Sequence, residues 1–259
     1  MRRYATQGAT PGSSPDENSE EAFSESSLLS LYETYCEGSV ARLYDTLAVA
    51  RSFLPQGRDE GPRHILDITC FATTQFLRIL FPQATVDACD KHLKWESFLE
   101  GVNAKVCDLE TSALPYENDS FDLVVFTETL EHIPRSPYAV LAEVRRVLKK
   151  GGILVFSVPN LSSLANRIKL LLGRNILSVE LAHYGTFGHF REYNMREVEY
   201  MFREFGWQVL VTDYIHYSER PSRSPNAQRP AVLVRWWLMR LLCSLAPSFR
   251  PACLAIVKK

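Results

Sequence analysis

No two of the six cysteines stand as C-x-x-C, and no His/Cys spacing resembles a zinc site. Cys36, Cys70, Cys89, Cys107, Cys243 and Cys253 lie mostly in apolar runs, where a free thiol behaves as a small hydrophobe. Reduced cysteines and a cytoplasmic setting are expected. Basic charge is not in excess either: 29 Lys and Arg against 30 Asp and Glu leave a net charge of −1. That excludes a global field for holding nucleic acid. No uninterrupted apolar run reaches the ~18 residues that argue for a membrane-spanning helix. No apolar signal core follows Arg2 and Arg3. Residues 1–25 are poor in large apolar side chains and rich in Ser, Glu, Gly and Pro. They cannot bury enough surface to offset ordering entropy, so a disordered tail is expected, with residues 26–259 forming one domain.

What is present is an alternation of strand and helix signals. Apolar residues recur at helical spacing from Leu28 to Leu54, with a break near Gly38. Short apolar runs then read as strands: His64–Ile68, Thr85–Cys89, Lys105–Cys107, Phe121–Thr127 and Ile153–Val158. Between them, Phe76–Phe81 and Ala139–Lys150 read as helices, the second ended by Gly151-Gly152. Residues 161–190 are expected to be an irregular insertion. A helix over Arg196–Phe205, a strand over Trp207–Thr212, an apolar helix over 231–245 and a last strand over Leu254–Val257 complete the chain. This pattern predicts an α/β fold, doubly wound, with a mostly parallel seven-stranded sheet covered on both faces and an antiparallel last strand.

Several segments fall in a telling order. Asp108-Leu109-Glu110 is followed by Leu114-Pro115-Tyr116, then by Ser120-Phe121-Asp122-Leu123-Val124-Val125. Leu130-Glu131-His132-Ile133, Val147 to Gly152, Ser157-Val158-Pro159-Asn160 and His189 to Tyr193 come after. The stretch from Asp67 to Trp207 resembles the class I S-adenosylmethionine-dependent methyltransferases of small-molecule and glycan type. The resemblance implies S-adenosylmethionine as cofactor, lying across the C-terminal strand ends. It implies that Asp67 faces the methionine end, that Asp90 accepts from the ribose hydroxyls and that Asp108 accepts from the adenine amino group. Leu109 and Thr127 are the further cofactor positions it implies. Singly, an aspartate at a strand end is as well explained as a turn former or helix cap.

One departure stands out. The family's first loop runs D-x-G-x-G-x-G, whereas here Asp67-Ile68-Thr69-Cys70-Phe71-Ala72-Thr73 puts Thr69, Phe71 and Thr73 at the glycine positions. Glycine permits φ > 0 and close backbone approach to a ligand, which a β-branched or aromatic residue does not. Two outcomes are open. The loop swings outward with Phe71 beside the cofactor, or the pocket is filled and the chain is a catalytically inactive, methyltransferase-like binding subunit. Since G-x-G-x-x-G is also missing, a nicotinamide-dependent oxidoreductase is disfavoured.

On the acceptor side, His132 follows the fourth strand and His189 lies in the segment that lines the substrate in such enzymes. Both are the candidate catalytic residues, imidazole being the side chain whose pKa sits nearest neutrality. The plain alternatives are a helix-start histidine and a loop anchor. The expected acceptor is a small molecule, a glycan or a lipid-linked precursor. Within 231–245, Val234, Trp237, Leu238, Leu241 and Leu245 share one helical face, with Arg229 and Arg240 on another. Such a helix can touch a membrane interface peripherally, or simply pack on the sheet or on a second copy. Nothing in the sequence signals an oligomeric state.

Overall fold

The computed structural model describes residues 46–47, 49–53, 63–68, 72–91, 93, 99, 101–177, 188–215 and 229–259. The expected disordered tail, most of the first helical segment and the glycine-less loop at Thr69 to Phe71 lie outside them. Seven strands form one sheet: β1 (His64–Ile68), β2 (Thr85–Asp90), β3 (Asn103–Val106), β4 (Phe121–Thr127), β5 (Leu148–Pro159), β6 (Gln208–Ile215) and β7 (Ala252–Lys258). Their order is β3-β2-β1-β4-β5-β7-β6. Neighbours from β3 to β5 run parallel, while β7 lies antiparallel between β5 and β6. The helices described over their full length are α1 (Ala72–Leu80), α2 (Pro137–Val147), α3 (Leu164–Leu171), α4 (Met195–Glu204) and α5 (Pro230–Leu245).

The central strands are apolar on both faces because both faces are covered. Successive side chains alternate between two cores. Leu66, Ile68, Val124, Phe126, Leu154 and Phe156 pack with Val140, Leu141 and Val144 of α2 and with Val198, Met201 and Phe202 of α4. Ile65, Leu123, Val125, Ile153, Val155 and Ile256 pack on the other face with Leu77 and Leu80 of α1 and with Leu47 and Ala50. Helix α4 starts at a capping box in which Asn194 and Glu197 satisfy each other's backbone N–H groups.

Two local expectations need correction. Helix α2 ends at Val147, not Lys150, and Leu148 already pairs with Phe121 as the first residue of β5. The two glycines therefore shape a strand rather than stop a helix. Gly151 has φ +80, and a Cβ on Gly152 would stand 2.8 Å from Leu148 Cγ. The segment expected to be irregular carries α3, whose N-cap Ser163 accepts from the Asn166 N–H.

The Leu114-Pro115-Tyr116 segment owes its place to one buried-edge ion pair. Arg146 donates to Glu143 and, through its other nitrogens, to the Leu114 and Tyr116 carbonyls, while the Leu114 N–H donates to Glu143. Tyr116 in turn donates its hydroxyl to the Ala88 carbonyl of β2. Asp122 works at the opposite, N-terminal end of the sheet. It accepts from the Arg63 and His64 N–H groups and pairs with Lys149 at 2.8 Å.

Candidate active site

β1 leads to β2 and β3 on one side, and β4 and β5 lie on the other, so the sheet's switch point falls between β1 and β4. In open α/β sheets the crevice beyond that point is where a ligand fits. Register identifies the residues that line it. Ile68 pairs with Cys89 and with Phe126, so Asp90 and Thr127 are each one residue beyond β1's last partners. They flank the C-terminal end of β1 from either side. Thr127 pairs with Ser157 of β5, and the Cys107 N–H donates to the Asp90 carbonyl, placing Asp108 next in the row. From Asp108 to Ser157 the row crosses four strand spacings, about 19 Å at ~4.8 Å each. That suits an extended ligand lying across the strand ends.

Asp67 sits one residue before the end of β1 and is 1% exposed. Thr74 donates its hydroxyl to Asp67 Oδ2 at 2.6 Å, and Oδ1 has no hydrogen-bond partner among the described residues. Burial pushes its carboxyl up to about 7, against the lowering effect of the threonine hydroxyls. A half-satisfied buried carboxyl is costly unless something else meets it. Thr73, at the third glycine position, is buried in the first turn of α1, where helical φ suits a β-branched residue. No positive φ is needed there.

Asp108 is already engaged. Oδ1 accepts from the Glu110 N–H at 2.9 Å, and Oδ2 pairs with Lys91 at 3.1 Å. Burial pushes its carboxyl up, but the Glu110 N–H and the Lys91 ammonium outweigh it and hold the pKa below the usual value. Lys91, which also reaches Glu110 at 3.2 Å, was not a candidate from sequence. Leu109 contributes its side chain to the apolar core.

Past Thr127 the chain turns sharply. Glu128 takes φ +50, a conformation that costs a non-glycine residue about 1 kcal/mol or more. Its N–H donates to the Ser157 carbonyl, and the Ser157 hydroxyl donates back to its carboxylate at 2.9 Å. Thr129 donates to the Thr127 carbonyl, and a 3-10 turn over Leu130–His132 follows. The Phe190 and Arg191 N–H groups both donate to the Glu131 carbonyl, which carries the segment after Gly188 onto this turn.

That docking brings His132 and His189 together, 57 positions apart in sequence, with ring centroids 4.8 Å apart and edge to face. His132 Nδ1 is 3.1 Å from the Gly188 carbonyl. His189 Nδ1 is 3.3 Å from Glu192, which accepts from Asn166 at 2.6 Å. Burial holds the His132 pKa below its ordinary value; the Gly188 carbonyl opposes this and the neighbouring His189 adds to it. His132 is therefore neutral at pH 7 with a lone pair available. Sequence reading found the two histidines and missed Glu131, Glu192 and Asn166, whose roles arise only when the segment 188–193 folds back.

A methyltransferase-domain family model matches residues 67–156. An uncharacterised protein of Methanocaldococcus jannaschii is 30% identical over 194 residues, covering 67% of this chain and 75% of that protein. Among solved structures, an S-adenosylmethionine-dependent methyltransferase from Archaeoglobus fulgidus superposes with TM-score 0.57 at 16% identity, covering 88% of this chain and 99% of that one. The 1,6-didemethyltoxoflavin N1-methyltransferase of Burkholderia thailandensis, bound to S-adenosylhomocysteine, superposes with TM-score 0.54 at 14% identity, covering 97% and 93%.

Proposed function

Since the chain belongs to the class I S-adenosylmethionine-dependent methyltransferases, we propose that it methylates a small-molecule, glycan or lipid-linked acceptor in the crevice beyond β1 and β4. The observation that carries this reading is Asp67, one of whose buried oxygens has no hydrogen-bond partner among the described residues, beneath the strand ends that Asp90 and Thr127 flank. When bound, the cofactor supplies a sulfonium methyl that passes to the acceptor's lone pair, leaving a thioether. The residues of this chain fit that ligand. Asp67 offers an acceptor to the methionine ammonium, Asp90 an acceptor pair to the ribose diol, and Asp108 its remaining lone pairs to the adenine amino group. Thr69 and Phe71, the further cofactor positions of the first loop, lie outside the described residues, and Leu109 follows Asp108 in sequence. His132 and His189 stand on the other side of Thr127, where the acceptor loses its proton.

The competing reading is an inactive methyltransferase-like subunit. It is disfavoured by Asp67 Oδ1, which finds no hydrogen-bond partner among the described residues, since a filled pocket has no use for a buried acceptor. Asp90→Ala should weaken S-adenosylmethionine binding by ~1.5–3 kcal/mol, the scale of a hydrogen bond to a charged group. Calorimetry that finds equal affinity in variant and parent removes Asp90 from the site.

We also infer that the protein docks peripherally on an anionic bilayer through α5. Its exposed apolar residues include Val234, Trp237, Leu238, Leu241 and Leu245, and only Cys243 is buried. The sheet is not its main support: among the described residues the helix leans chiefly on the Pro247–Phe249 turn. Arg229, Arg235 and Arg240 are its charges, and it holds no acid. Ile168, Leu170, Leu171 and Leu172 in and just after α3 are exposed as well. No helix among the described residues is long and apolar enough to cross a membrane, so contact is from one side. Vesicles containing phosphatidylserine should pellet the parent, and Trp237→Glu with Leu241→Glu should abolish this. Equal pelleting of the double variant, or none of the parent, contradicts the inference.

A further inference from the structure

We propose that Glu131, His132 and His189 form a binding site for one divalent transition-metal ion, of which Zn2+ is the fitting representative. One ligand atom from each lies within 4.8 Å of the other two. A cation with bonds of ~2.1 Å draws tetrahedral ligands to about 3.4 Å apart, so closure takes side-chain movements of about 1.4 Å at most. Two imidazoles and one carboxylate are a set that suits such ions better than Mg2+, which prefers oxygen ligands.

The orientation of the rings is the stronger argument. Each histidine commits its Nδ1 to a group that can only accept: the Gly188 carbonyl for His132, and the Glu192 carboxylate for His189. Both Nδ1 atoms therefore carry the proton, and both Nε2 atoms carry the lone pair. His132 Nε2 lies 3.9 Å from Glu131 Oε1. Fixing a ligating imidazole through its other nitrogen is how metal sites hold their tautomer, and carboxylate and carbonyl partners are the common choices. Here the fixing extends one residue further, because Asn166 donates to Glu192 at 2.6 Å. A lone general base needs one such ring, whereas this site has built two.

Exposure is graded in the same sense. The Glu131 side chain is 1% exposed, those of His189 and His132 are 21% and 37%. The ligand set thus closes one side and leaves the other open to solvent, the mark of a site that keeps positions for a further ligand. Three protein ligands with adjacent open positions fit an acceptor bearing a hydroxyl beside a second oxygen. An ion there would lower the hydroxyl's pKa, so the acceptor proton would pass to solvent water on the open side, the imidazole lone pairs being held by the ion. This last step rests on the methyltransferase reading, while the ion site itself does not.

The test uses the full chain, stripped with a chelator and titrated with Zn2+ by calorimetry, with and without saturating S-adenosylhomocysteine. One ion per chain is expected. His132→Ala and His189→Ala should each weaken binding at least tenfold, and Glu192→Gln by roughly tenfold through loss of ring orientation. S-adenosylhomocysteine affinity should stay within twofold in all three. Should a variant fail to fold, Co2+ loaded into the parent decides: visible d–d bands without a thiolate charge-transfer band support the histidine site, and a thiolate band overturns it. Unchanged Zn2+ affinity in the variants, or no uptake by the parent, also overturns it. Zn2+ binding without any S-adenosylhomocysteine binding supports the ion site and counts against the methyltransferase reading.

Discussion

Asp67→Asn should make the ligand-free protein more stable at pH 8 while weakening its hold on S-adenosylmethionine. Asp67 has its folded-state pKa raised by burial to about 7 from an ordinary 3.8. A carboxyl shifted upward supports the fold while protonated. That contribution is complete below about pH 3.8 and is lost as pH rises through about 7. The charged form above that costs up to about 4 kcal/mol at ~1.36 kcal/mol per pKa unit. Asparagine keeps an acceptor for the Thr74 hydroxyl and carries no charge, so it removes this cost. Urea titrations from pH 5 to 8 should show stability of the parent falling with pH and stability of the variant nearly flat. The same variant should bind cofactor at least tenfold more weakly, because the ammonium loses its carboxylate partner. A variant less stable than the parent at pH 8 would mean that Asp67 is paired within the protein.

Phe156→Ala should destabilise the protein by about 3–5 kcal/mol, the scale for truncating a fully buried aromatic side chain. Phe156 is 0% exposed and packs edge to face on Phe202 at 5.1 Å and against Phe126 at 5.9 Å. Its neighbour Ser157 holds Glu128 in its positive-φ turn. Loss of the ring should therefore loosen the His132 turn before global unfolding, visible as faster hydrogen exchange at the Glu128 N–H. Denaturant titration showing a loss under 1 kcal/mol would indicate that the core closes over the gap.

Where the sequence spoke clearly, it did so through period and punctuation. Phe121–Thr127 was readable to the residue, because a run apolar but for Asp122 and Thr127, and preceded by Asp119-Ser120, fits a buried strand. His64–Ile68 was read with equal accuracy. The end of α2 was misread because Lys149-Lys150-Gly151-Gly152 carries every mark of a helix stop, while pairing of Leu148 with Phe121 decides the matter from another strand. Propensity is local and the winning contact was not. The site followed the same division. Asp67, Asp90, Asp108 and Thr127 were visible as strand-end residues. Lys91 beside Asp108 was not, because two strand ends 17 residues apart meet only in the sheet; nor were the Glu131 and Glu192 neighbours of the histidines, whose setting forms only where His132 meets His189, 57 residues on. Sequence also raised a steric objection to Thr73 that the fold answers, by placing it inside α1.

The most direct measurement of the central claim is a calorimetric titration of S-adenosylmethionine into the full chain at pH 7, run in two buffers of different ionisation enthalpy. If the crevice beyond β1 and β4 holds the cofactor with its ammonium at Asp67, binding occurs and releases on the order of half a proton, because a group of pKa about 7 is half protonated beforehand and ionised afterwards. No binding at millimolar cofactor would contradict the account. Binding without proton release would contradict the placement of the ammonium at Asp67.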